Sequence, residues 1–358
     1  MSEYEDLKKQ LLGQDKASRL SRNWLSTGST LLNLACSDQV NGGFAVGNYY
    51  FLVGDSASGK TFLSLTCLAE AAISKRFASY RFIYDNAENG ALMDLNRFFG
   101  KQVATRLEQP HSGSPSATIE EFFWNLDDAL NNSGEVKPCI YILDSMDVLS
   151  TEDEEEKFEE RKDASRNGRQ VSGSYGVSKA KANSAGIRRI IPRLRETGSI
   201  LIIISQTRDN IGFGAQFNPK TRSGGHALRF YACLELWSSV QERITKVVRG
   251  VKRQLGILCK IQVKKNRLTG KERTINIPIY HSYGMDDVGS MVDWLIEEKH
   301  WSKHGANLTA PEFDWKGGRD KLLDWIETEH KEQELKSIVA RVWNEIETAC
   351  EVKRQRRY

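Results

Sequence analysis

Apolar runs typical of buried strands alternate, between residues 26 and 285, with stretches whose apolar positions recur at helical spacing. The strand candidates are Tyr49–Val53, Tyr80–Tyr84, Cys139–Leu143, Ser199–Ser205, Ala232–Trp237, Leu258–Val263 and Arg273–Tyr280. The helix candidates are Thr61–Ser74, Gly90–Phe99, Ile119–Leu130 and Ser178–Glu196. This alternation predicts an α/β fold with a mostly parallel central sheet covered on both faces. The later strands have no helices between them, so we expect them to add antiparallel pairs at one edge.

The two ends of the chain have a different pattern. Over Val288–Lys299 and Arg319–Cys350, apolar residues such as Trp294, Leu322 and Trp343 recur at helical spacing and predict a small helix-rich domain. The predicted divisions are a short N-terminal helical arm and linker (1–25), an α/β core (26–285), a small C-terminal domain (286–350) and a basic tail (351–358).

Composition narrows the class of protein. The chain has 39% hydrophobic and 27% charged residues, as soluble globular proteins do. No apolar stretch approaches the ~20 residues that span a bilayer, and the first residues resemble neither a signal peptide nor a transit peptide. The 6 cysteines include no C-x-x-C pair, so we expect buried free thiols rather than disulfides or zinc ligands. We therefore expect a cytoplasmic protein with no membrane partner.

Charge is unevenly distributed around a net value of +4. Basic residues gather at 243–253, at 260–273 and at 353–357, and an acidic block covers 152–156. Such asymmetry suits an anionic partner on one face, although a charge run fits a solvated surface equally well. For the acidic stretch 152–160 we favour a solvated loop over a segment that gates the basic surface.

One motif predicts a phosphate-binding site. The run Gly54-Asp55-Ser56-Ala57-Ser58-Gly59-Lys60-Thr61 reads G-x-x-x-x-G-K-T and joins a strand candidate to a helix candidate. In that context the loop N–H groups and the helix N-terminus bind a polyphosphate. Lys60 would reach the β- and γ-phosphates, and the Thr61 hydroxyl would hold Mg²⁺.

Acidic and amide side chains follow other strand candidates. Ligands of open α/β sheets lie at the carboxyl ends of the strands, which positions Asp144 for the Mg²⁺ shell. A carboxylate after the strand at 80–84 could deprotonate an attacking water, and Asp85 and Glu88 compete for that role. Gln206 ends a third strand and could sense a γ-phosphate.

A polar, Gly-rich loop from Asp209 to Ser223 follows Gln206 and carries aromatic and basic side chains. Aromatic residues on a basic loop suit contact with single-stranded DNA, since a ring can stack on the bases. A surface loop whose phenylalanines pack onto the core is an equally good interpretation. The candidate DNA-binding side chains here are Arg208, Phe213, Phe217, Lys220 and Arg222.

Several ordered motifs together resemble the RecA family of recombinases. The segment from Ile211 through Asn218-Pro219 and Gly224-Gly225 to Ala232 resembles that family's second DNA-binding loop and the following helix. The further matching motifs are Ser26-Thr27-Gly28-Ser29, Leu143-Asp144-Ser145, Ser205-Gln206-Thr207-Arg208 and Val263-Lys264-Lys265-Asn266-Arg267. The resemblance covers roughly residues 26–300 and is more specific than the P-loop alone.

The resemblance implies a RecA-like P-loop (Walker A) ATPase core that binds ATP and Mg²⁺ through Gly54–Thr61 and Asp144. It implies that Glu88 is the catalytic carboxylate and that Gln206 couples the γ-phosphate to the DNA loop. Lys265 and Arg267 match lysines that reach a neighbouring subunit's ATP. Arginine at the second position keeps the charge.

The same resemblance implies further contacts. Phe230 matches a residue of the family's subunit interface, and Arg169–Val177 fall where the first DNA-binding loop lies. The second loop is one residue longer than the family pattern, so Phe213 and Phe217 both remain candidates for the residue that wedges between bases. Leu95 falls where a tyrosine is expected to stack on adenine, which leaves the base specificity open.

The function implied is that of a DNA-dependent ATPase that forms helical filaments on single-stranded DNA and catalyses homologous pairing and strand exchange with double-stranded DNA. A cellular bacterial enzyme, in the cytoplasm or nucleoid, and a phage-encoded UvsX-like enzyme in a host's cytoplasm both fit. The alternatives are a ring-forming helicase of the same superfamily and a regulatory RecA-like paralogue that loads another recombinase.

Overall fold

The computed structural model describes residues 23–90, 93–131, 137–167, 177–209, 220–222 and 225–354. The helices are α1 (Thr30–Ser37), α2 (Lys60–Ile73), α3 (Leu95–Phe99), α4 (Lys101–Arg106), α5 (Ile119–Asn131), α6 (Glu152–Arg166), α7 (Val177–Thr197), α8 (Gly225–Tyr231), α9 (Asp287–Glu297), α10 (Arg319–Thr328) and α11 (Glu332–Ala349). Short 3₁₀ turns cover Lys75–Phe77 and Pro311–Phe313.

The strands are β1 (Trp24–Leu25), β2 (Phe44–Ala45), β3 (Asn48–Gly54), β4 (Arg81–Asp85), β5 (Leu107–Glu108), β6 (Cys139–Leu143), β7 (Ile200–Asp209), β8 (Lys220–Arg222), β9 (Leu234–Val248), β10 (Val251–Asn266), β11 (Thr274–Tyr280), β12 (Gly284–Met285), β13 (Ser302–His304), β14 (Asn307–Ala310) and β15 (Trp315–Gly318). The main sheet has the order β12-β11-β10-β9-β3-β7-β6-β4-β5, with β8 beside β7. The strands from β9 to β5 in that order are parallel, whereas β10, β11 and β12 pair antiparallel. The predicted α/β fold, with a mostly parallel sheet and antiparallel strands at one edge, is confirmed.

The core lies on both faces of this sheet because successive strand side chains point in opposite directions. Leu52, Ile142 and Ile202 belong to one apolar cluster, whereas the neighbouring residues Phe51, Tyr141 and Ile203 belong to the other. Helix α2 contributes to the first cluster, and helices α5 and α7 contribute to the second. Burial on both faces explains why these strands read as continuous apolar runs.

The acidic stretch is a helix, so the predicted loop is wrong, although its solvent exposure is confirmed. Helix α6 has no buried residue. The Thr151 side chain caps it by accepting from the Glu154 N–H, and four acidic residues in its first turn suit the helix dipole. Lys157 pairs with Asp153 at i,i+4 spacing and supports the helix locally.

The predicted helix at Gly90–Phe99 is shorter in the structure. Helix α3 begins only at Leu95, capped by Asp94, and it ends at Gly100, whose φ of 85° lies in the region that favours glycine. Helix α4 follows directly. The stretch of helical spacing at Arg319–Cys350 forms two helices, α10 and α11, which are separated at His330, where φ is 54°.

The C-terminal region contains the predicted helices α9, α10 and α11. It also contains a three-stranded antiparallel sheet, β13-β14-β15, which the sequence pattern did not predict. Leu295, Leu308 and Val339 from this region belong to the same apolar cluster as one face of the main sheet. The division into separate domains stays a prediction.

The predicted N-terminal helix and the end of the basic tail lie outside the described residues, at 1–22 and 355–358. All 6 cysteines are free thiols, buried as expected except Cys350. None of the helices in the described ranges is both long and apolar enough to cross a bilayer.

Candidate nucleotide-binding site

The P-loop joins the carboxyl end of β3 to the N-terminus of α2, as the motif predicts. Gly59 has φ of 87°, and a Cβ there would lie 2.7 Å from Ile279 Cδ1. A Cβ on Gly54 would lie 2.2 Å from the Ser238 carbonyl oxygen on β9. Gly59 is therefore required chiefly by its backbone conformation, and Gly54 by its close packing against the backbone of β9.

Lys60 is folded back over the loop. Its Nζ donates to the carbonyl oxygens of Gly54 at 2.9 Å and Asp55 at 2.6 Å. Burial lowers the pKa of Lys60, while the nearby carboxylates of Asp144 and Glu88 act in the opposite direction. The ammonium group thus lies among the loop atoms that would surround a polyphosphate.

Two hydroxyl groups converge on one oxygen of Asp144. Thr61 Oγ1 donates to Asp144 Oδ2 at 2.7 Å, and Tyr84 Oη donates to the same atom at 2.8 Å. Asp144 is only 2% exposed, and burial raises its pKa against these hydrogen bonds. An adjacent hydroxyl and carboxylate at a P-loop fit Mg²⁺, which prefers oxygen ligands. The sequence analysis missed the contact of Tyr84 with Asp144. The feature that could have indicated it is a side chain with a hydroxyl group at the end of an apolar strand.

The two competing carboxylates have different surroundings. Asp85 is fully buried, and its oxygens accept from the Ser116 N–H, the Ser116 hydroxyl and the Tyr141 hydroxyl. Glu88 is exposed, and it accepts from Ser145 Oγ at 3.0 Å and from Gln206 Nε2 at 2.8 Å. Of these two carboxylates, Glu88 is therefore the one that is accessible to a water molecule.

Gln206 lies beside the P-loop because β7 pairs with β3 in a register that sets it opposite Gly54. Its N–H donates to Asp147 Oδ2 at 2.6 Å. The next residue, Thr207, donates through its hydroxyl to the Asp55 carboxylate of the P-loop. The tip of β7 is thus bonded to both the loop and Glu88.

Lys265 and Arg267 lie toward the opposite edge of the sheet. Lys265 pairs across the strands with Glu235, which pairs with Phe51, three positions before Gly54 on β3. This offset is about 10 Å along the sheet. Lys265 Nζ donates to the carbonyl oxygens of Arg229 at 2.5 Å and Phe230 at 2.7 Å. The two cations therefore do not reach the P-loop of their own chain.

The surroundings of this cation pair are exposed. Arg267 Nη2 also donates to the Phe230 carbonyl, at 2.5 Å, and the Phe230 side chain is 63% exposed. Burial, followed by repulsion from Arg267, lowers the pKa of Lys265 to about 8.

The side chains of the predicted DNA-binding residues lie outside the part of the chain that the structure describes. Arg169, Phe213 and Phe217 lie outside the described residues, as do the side chains of Arg208, Lys220 and Arg222. The predicted loop at Asp209–Ser223 is partly wrong, because β7 continues to Asp209 and β8 pairs antiparallel with it. The chain therefore returns to the tip of β7 just before α8.

A cavity of about 300 Å³ opens against the P-loop. Its lining residues are Ala57, Ser58, Gly59, Lys60, Thr61, Phe62, Met93, Gln254, Ile257, Ile279 and His281. Leu95 is not among them, so the cavity offers Met93 and the isoleucines as apolar surface for a base. A larger cavity of about 960 Å³ lies between α5, α6 and α7 and contains no P-loop residue, so chemistry rather than volume identifies the nucleotide site.

Known proteins match this chain over most of its length. The sequence profile of the RecA N-terminal domain matches residues 7–286. Protein RecA of Prochlorococcus marinus (strain MIT 9211) is 29% identical over 320 residues, covering 88% of this chain and 78% of that protein. Protein RecA of Cytophaga hutchinsonii is 28% identical over 313 residues, covering 83% and 75%. Because the profile covers well over half of the chain and includes the P-loop, Asp144, Gln206 and Lys265, the protein belongs to the RecA family.

Proposed function

We propose that this protein is an ATP-dependent recombinase that forms filaments on single-stranded DNA and catalyses homologous pairing and strand exchange with double-stranded DNA. Membership of the RecA family supports a recombinase role and a cytoplasmic location. The geometry at the carboxyl edge of the sheet supports the use of ATP with Mg²⁺.

The residues present fit Mg-ATP. The P-loop from Gly54 to Thr61 would hold the phosphates, with Lys60 released from its loop carbonyls to bind them. Thr61 and Asp144, already in contact, would hold the metal, and Tyr84 would orient the Asp144 carboxylate. Bound Mg²⁺ would neutralise charge that develops on the phosphates.

Glu88 would act as the general base. Its carboxylate is exposed at the site and would accept the proton of the attacking water at Oε1 or Oε2. Ser145 and Gln206 would orient it.

The observation that carries the proposal is the position of Gln206. Its amide is bonded to the candidate base, its backbone adjoins the P-loop, and the chain runs from it into the candidate DNA loop. A change in the γ-phosphate would therefore alter the Gln206 bonds and the order of that loop, as in order–disorder switches.

Assembly would complete the site. Lys265 and Arg267 lie away from their own P-loop, beside the exposed Phe230, so they would stabilise transition-state charge at a neighbouring protomer's nucleotide.

Negative-stain electron microscopy with long single-stranded DNA and a non-hydrolysable ATP analogue tests this function. Extended helical filaments are expected. Closed rings would favour the helicase, and the absence of any assembly would favour the regulatory paralogue. Either outcome would overturn the proposal.

A further inference from the structure

One backbone carbonyl of the P-loop, that of Ser58, points toward the outer strands β9 and β10. Ser238 Oγ on β9 donates to this oxygen at 2.5 Å, and Cys259 Sγ on β10 donates to it at 3.1 Å. The two donors are also neighbours, with Oγ and Sγ 3.2 Å apart. Two strands thus bind a single carbonyl group of the loop.

The register of the sheet brings these donors to the loop. Gly54 is the last residue of β3, and β9 pairs with β3 so that Ser238 lies opposite Gly54. Cys259 lies on the next strand, opposite Val240, two positions beyond Ser238. The donors are 180 and 201 positions away from Ser58 along the chain, so no local sequence pattern indicates the contact.

All three residues of this contact are buried, so water does not compete for the hydrogen bonds. Ser58 and Cys259 are 0% and 1% exposed, and Ser238 is 7% exposed. Burial raises the pKa of the Cys259 thiol, so the thiol stays protonated and keeps its hydrogen for donation. A thiol is a weaker donor than a hydroxyl group, so we expect the Ser238 bond to contribute more than the Cys259 bond.

The internal hydrogen bonds of the loop do not fix this carbonyl group. Ser58 uses its N–H and its hydroxyl to donate to the Asp55 carbonyl, at 3.3 and 2.7 Å. The Gly59 carbonyl accepts from the Leu63 N–H at 2.8 Å, which fixes the following peptide group instead. Among the described residues, the donors to the Ser58 carbonyl are therefore Ser238 and Cys259 alone.

The direction of the Ser58 carbonyl determines the direction of the next N–H group. The peptide bond between Ser58 and Gly59 is trans, and in a planar trans peptide the C=O and the N–H point in opposite directions. The Gly59 N–H therefore points away from the side chains of Ser238 and Cys259. Because Gly59 has no Cβ, this peptide group rotates easily unless its carbonyl is bound.

We propose that Ser238 and Cys259 are positioning residues for phosphate binding, which keep the Gly59 N–H directed at the β-phosphate of a bound nucleotide. The N–H groups of a P-loop surround the α- and β-phosphates, and those at the start of a helix have no acceptor within the helix. A rotated peptide would instead present the Ser58 carbonyl oxygen, which repels a phosphate. This inference rests on the proposed function for its nucleotide ligand.

The test compares two double variants that remove the same atoms. The loop variant is Ser238→Ala/Cys259→Ala, and the control is Ser199→Ala/Cys139→Ala. Ser199 and Cys139 are also buried and bonded to each other, but they lie at the amino ends of β7 and β6, at the edge of the sheet opposite the P-loop. Titration with a fluorescent ADP analogue and Mg²⁺, without DNA, measures the affinity of each full-length protein. Thermal melts report folding, and the single variants Ser238→Ala and Cys259→Ser provide the same test if the double variant does not fold.

We expect the loop variant to bind ADP at least about tenfold more weakly than the wild type, since it lacks two buried hydrogen bonds. Affinity for a non-hydrolysable ATP analogue should fall by the same factor, because both nucleotides carry the β-phosphate. Ser238→Ala alone should weaken binding by about fivefold, whereas Cys259→Ser, which keeps a donor, should stay within about twofold of the wild type. The control should keep its affinity for ADP even where its melting temperature falls.

Unchanged ADP affinity in the loop variant or in Ser238→Ala would overturn the inference. An equal loss in the control would also overturn it, because the effect would then come from general destabilisation. A wild-type protein whose ADP affinity depends on Ser238 as expected, yet which forms no filament on single-stranded DNA, would support this inference and contradict the proposed function.

Discussion

At the scale of single residues, Tyr84 fixes the direction of the Asp144 carboxylate. Tyr84 and Thr61 both donate to Oδ2, so Oδ1 is left for other partners. Tyr84 is buried, and its burial, together with the neighbouring Asp144 charge, raises the pKa of its hydroxyl. The hydroxyl therefore stays a donor throughout the physiological range of pH.

Tyr84→Phe should raise the Mg²⁺ concentration needed for nucleotide binding by about three- to tenfold, since one buried hydrogen bond contributes about 1 kcal/mol. Titration of a fluorescent ATP analogue at graded Mg²⁺ measures this shift without turnover. Tyr141→Phe is the matched control, because Tyr141 donates to Asp85 instead. An equal shift in both variants would argue against a specific role for Tyr84.

Glu88→Gln should slow hydrolysis by about 10²- to 10⁴-fold, the usual contribution of a general base, while ATP and DNA binding persist. Single-turnover hydrolysis, with nucleotide affinity measured in parallel, checks both halves of this expectation. Asp85→Asn should lower the melting temperature, since Asp85 is bonded to Ser116 and Tyr141, but not the rate per folded molecule. The reverse result would assign the base to Asp85.

The sequence predicted which residues form the candidate site better than it predicted the contacts among them. Spacing alone predicted the P-loop, because phosphate binding requires those residue types in that order. Asp144 was predicted from its position at the end of an apolar strand. The residue pattern alone left Asp85 and Glu88 undecided, since both follow one strand. The family resemblance favoured Glu88, and the packing of Ser116 and Tyr141 around Asp85 supports the same choice. The pattern predicted only that Tyr84 lies in a strand, because a pattern does not show which hydroxyl group forms a hydrogen bond with a carboxylate.

At the scale of elements, buried strands were predictable and exposed ones were not. Continuous apolar runs fixed β3 and β6 to within a residue or two. Strands β9 and β10 extend far beyond their predicted ends because their outer parts are held by each other rather than by the core, and such a ribbon is rich in charge. The small sheet β13-β14-β15 was missed for a related reason, since its strands have 3 or 4 residues each.

Glu312 joins several elements of the C-terminal region. Its carboxylate accepts from Trp301 Nε1 at 2.8 Å and Arg341 Nη2 at 2.6 Å, and it also contacts His300. Burial acts to raise its pKa, but the hydrogen bonds from His300 and Trp301 prevail and lower the pKa from 4.5 to about 2. A lowered pKa means that this carboxylate stabilises the fold above pH 4.5 and that the contribution is lost as pH falls toward 2.

Glu312→Gln should therefore lower the melting temperature at neutral pH and make it less dependent on pH across that acid window. Thermal melts of the variant and the wild type at a series of pH values measure the difference. Asp314→Asn is the control, because Asp314 is exposed and forms no ion pair with any residue that the structure describes. Parallel pH curves for Glu312→Gln and the wild type would contradict this role.

At the scale of the whole molecule, the two halves of the proposed active site lie at different edges of one sheet. Lys60→Ala would disable a protomer's own P-loop, and Lys265→Ala would disable only its contribution to a neighbour. Neither variant alone should hydrolyse ATP. A mixture should regain activity at about a quarter of its sites, since each head-to-tail interface in a random equal mixture pairs an intact P-loop with an intact Lys265 at that frequency.

Steady-state hydrolysis with poly(dT), measured over a range of mixing ratios, tests this complementation. A mixture as inactive as its components would mean that Lys265 does not act across the interface. A double variant, Lys60→Ala/Lys265→Ala, mixed with either single variant is the control, and it should restore nothing.

The proposed action of Lys265 on a neighbouring protomer's nucleotide would also make an assembly polar. In an open chain of protomers, the P-loop at one end has no neighbour to supply a cation pair, and the cation pair at the other end has no nucleotide to contact. One site per assembly is therefore always incomplete, and the turnover per protomer rises with length towards a limit. A closed ring has no such end, so its turnover per protomer is constant. The dependence of the rate on the length of the DNA template thus distinguishes a filament from a ring in a simple kinetic assay.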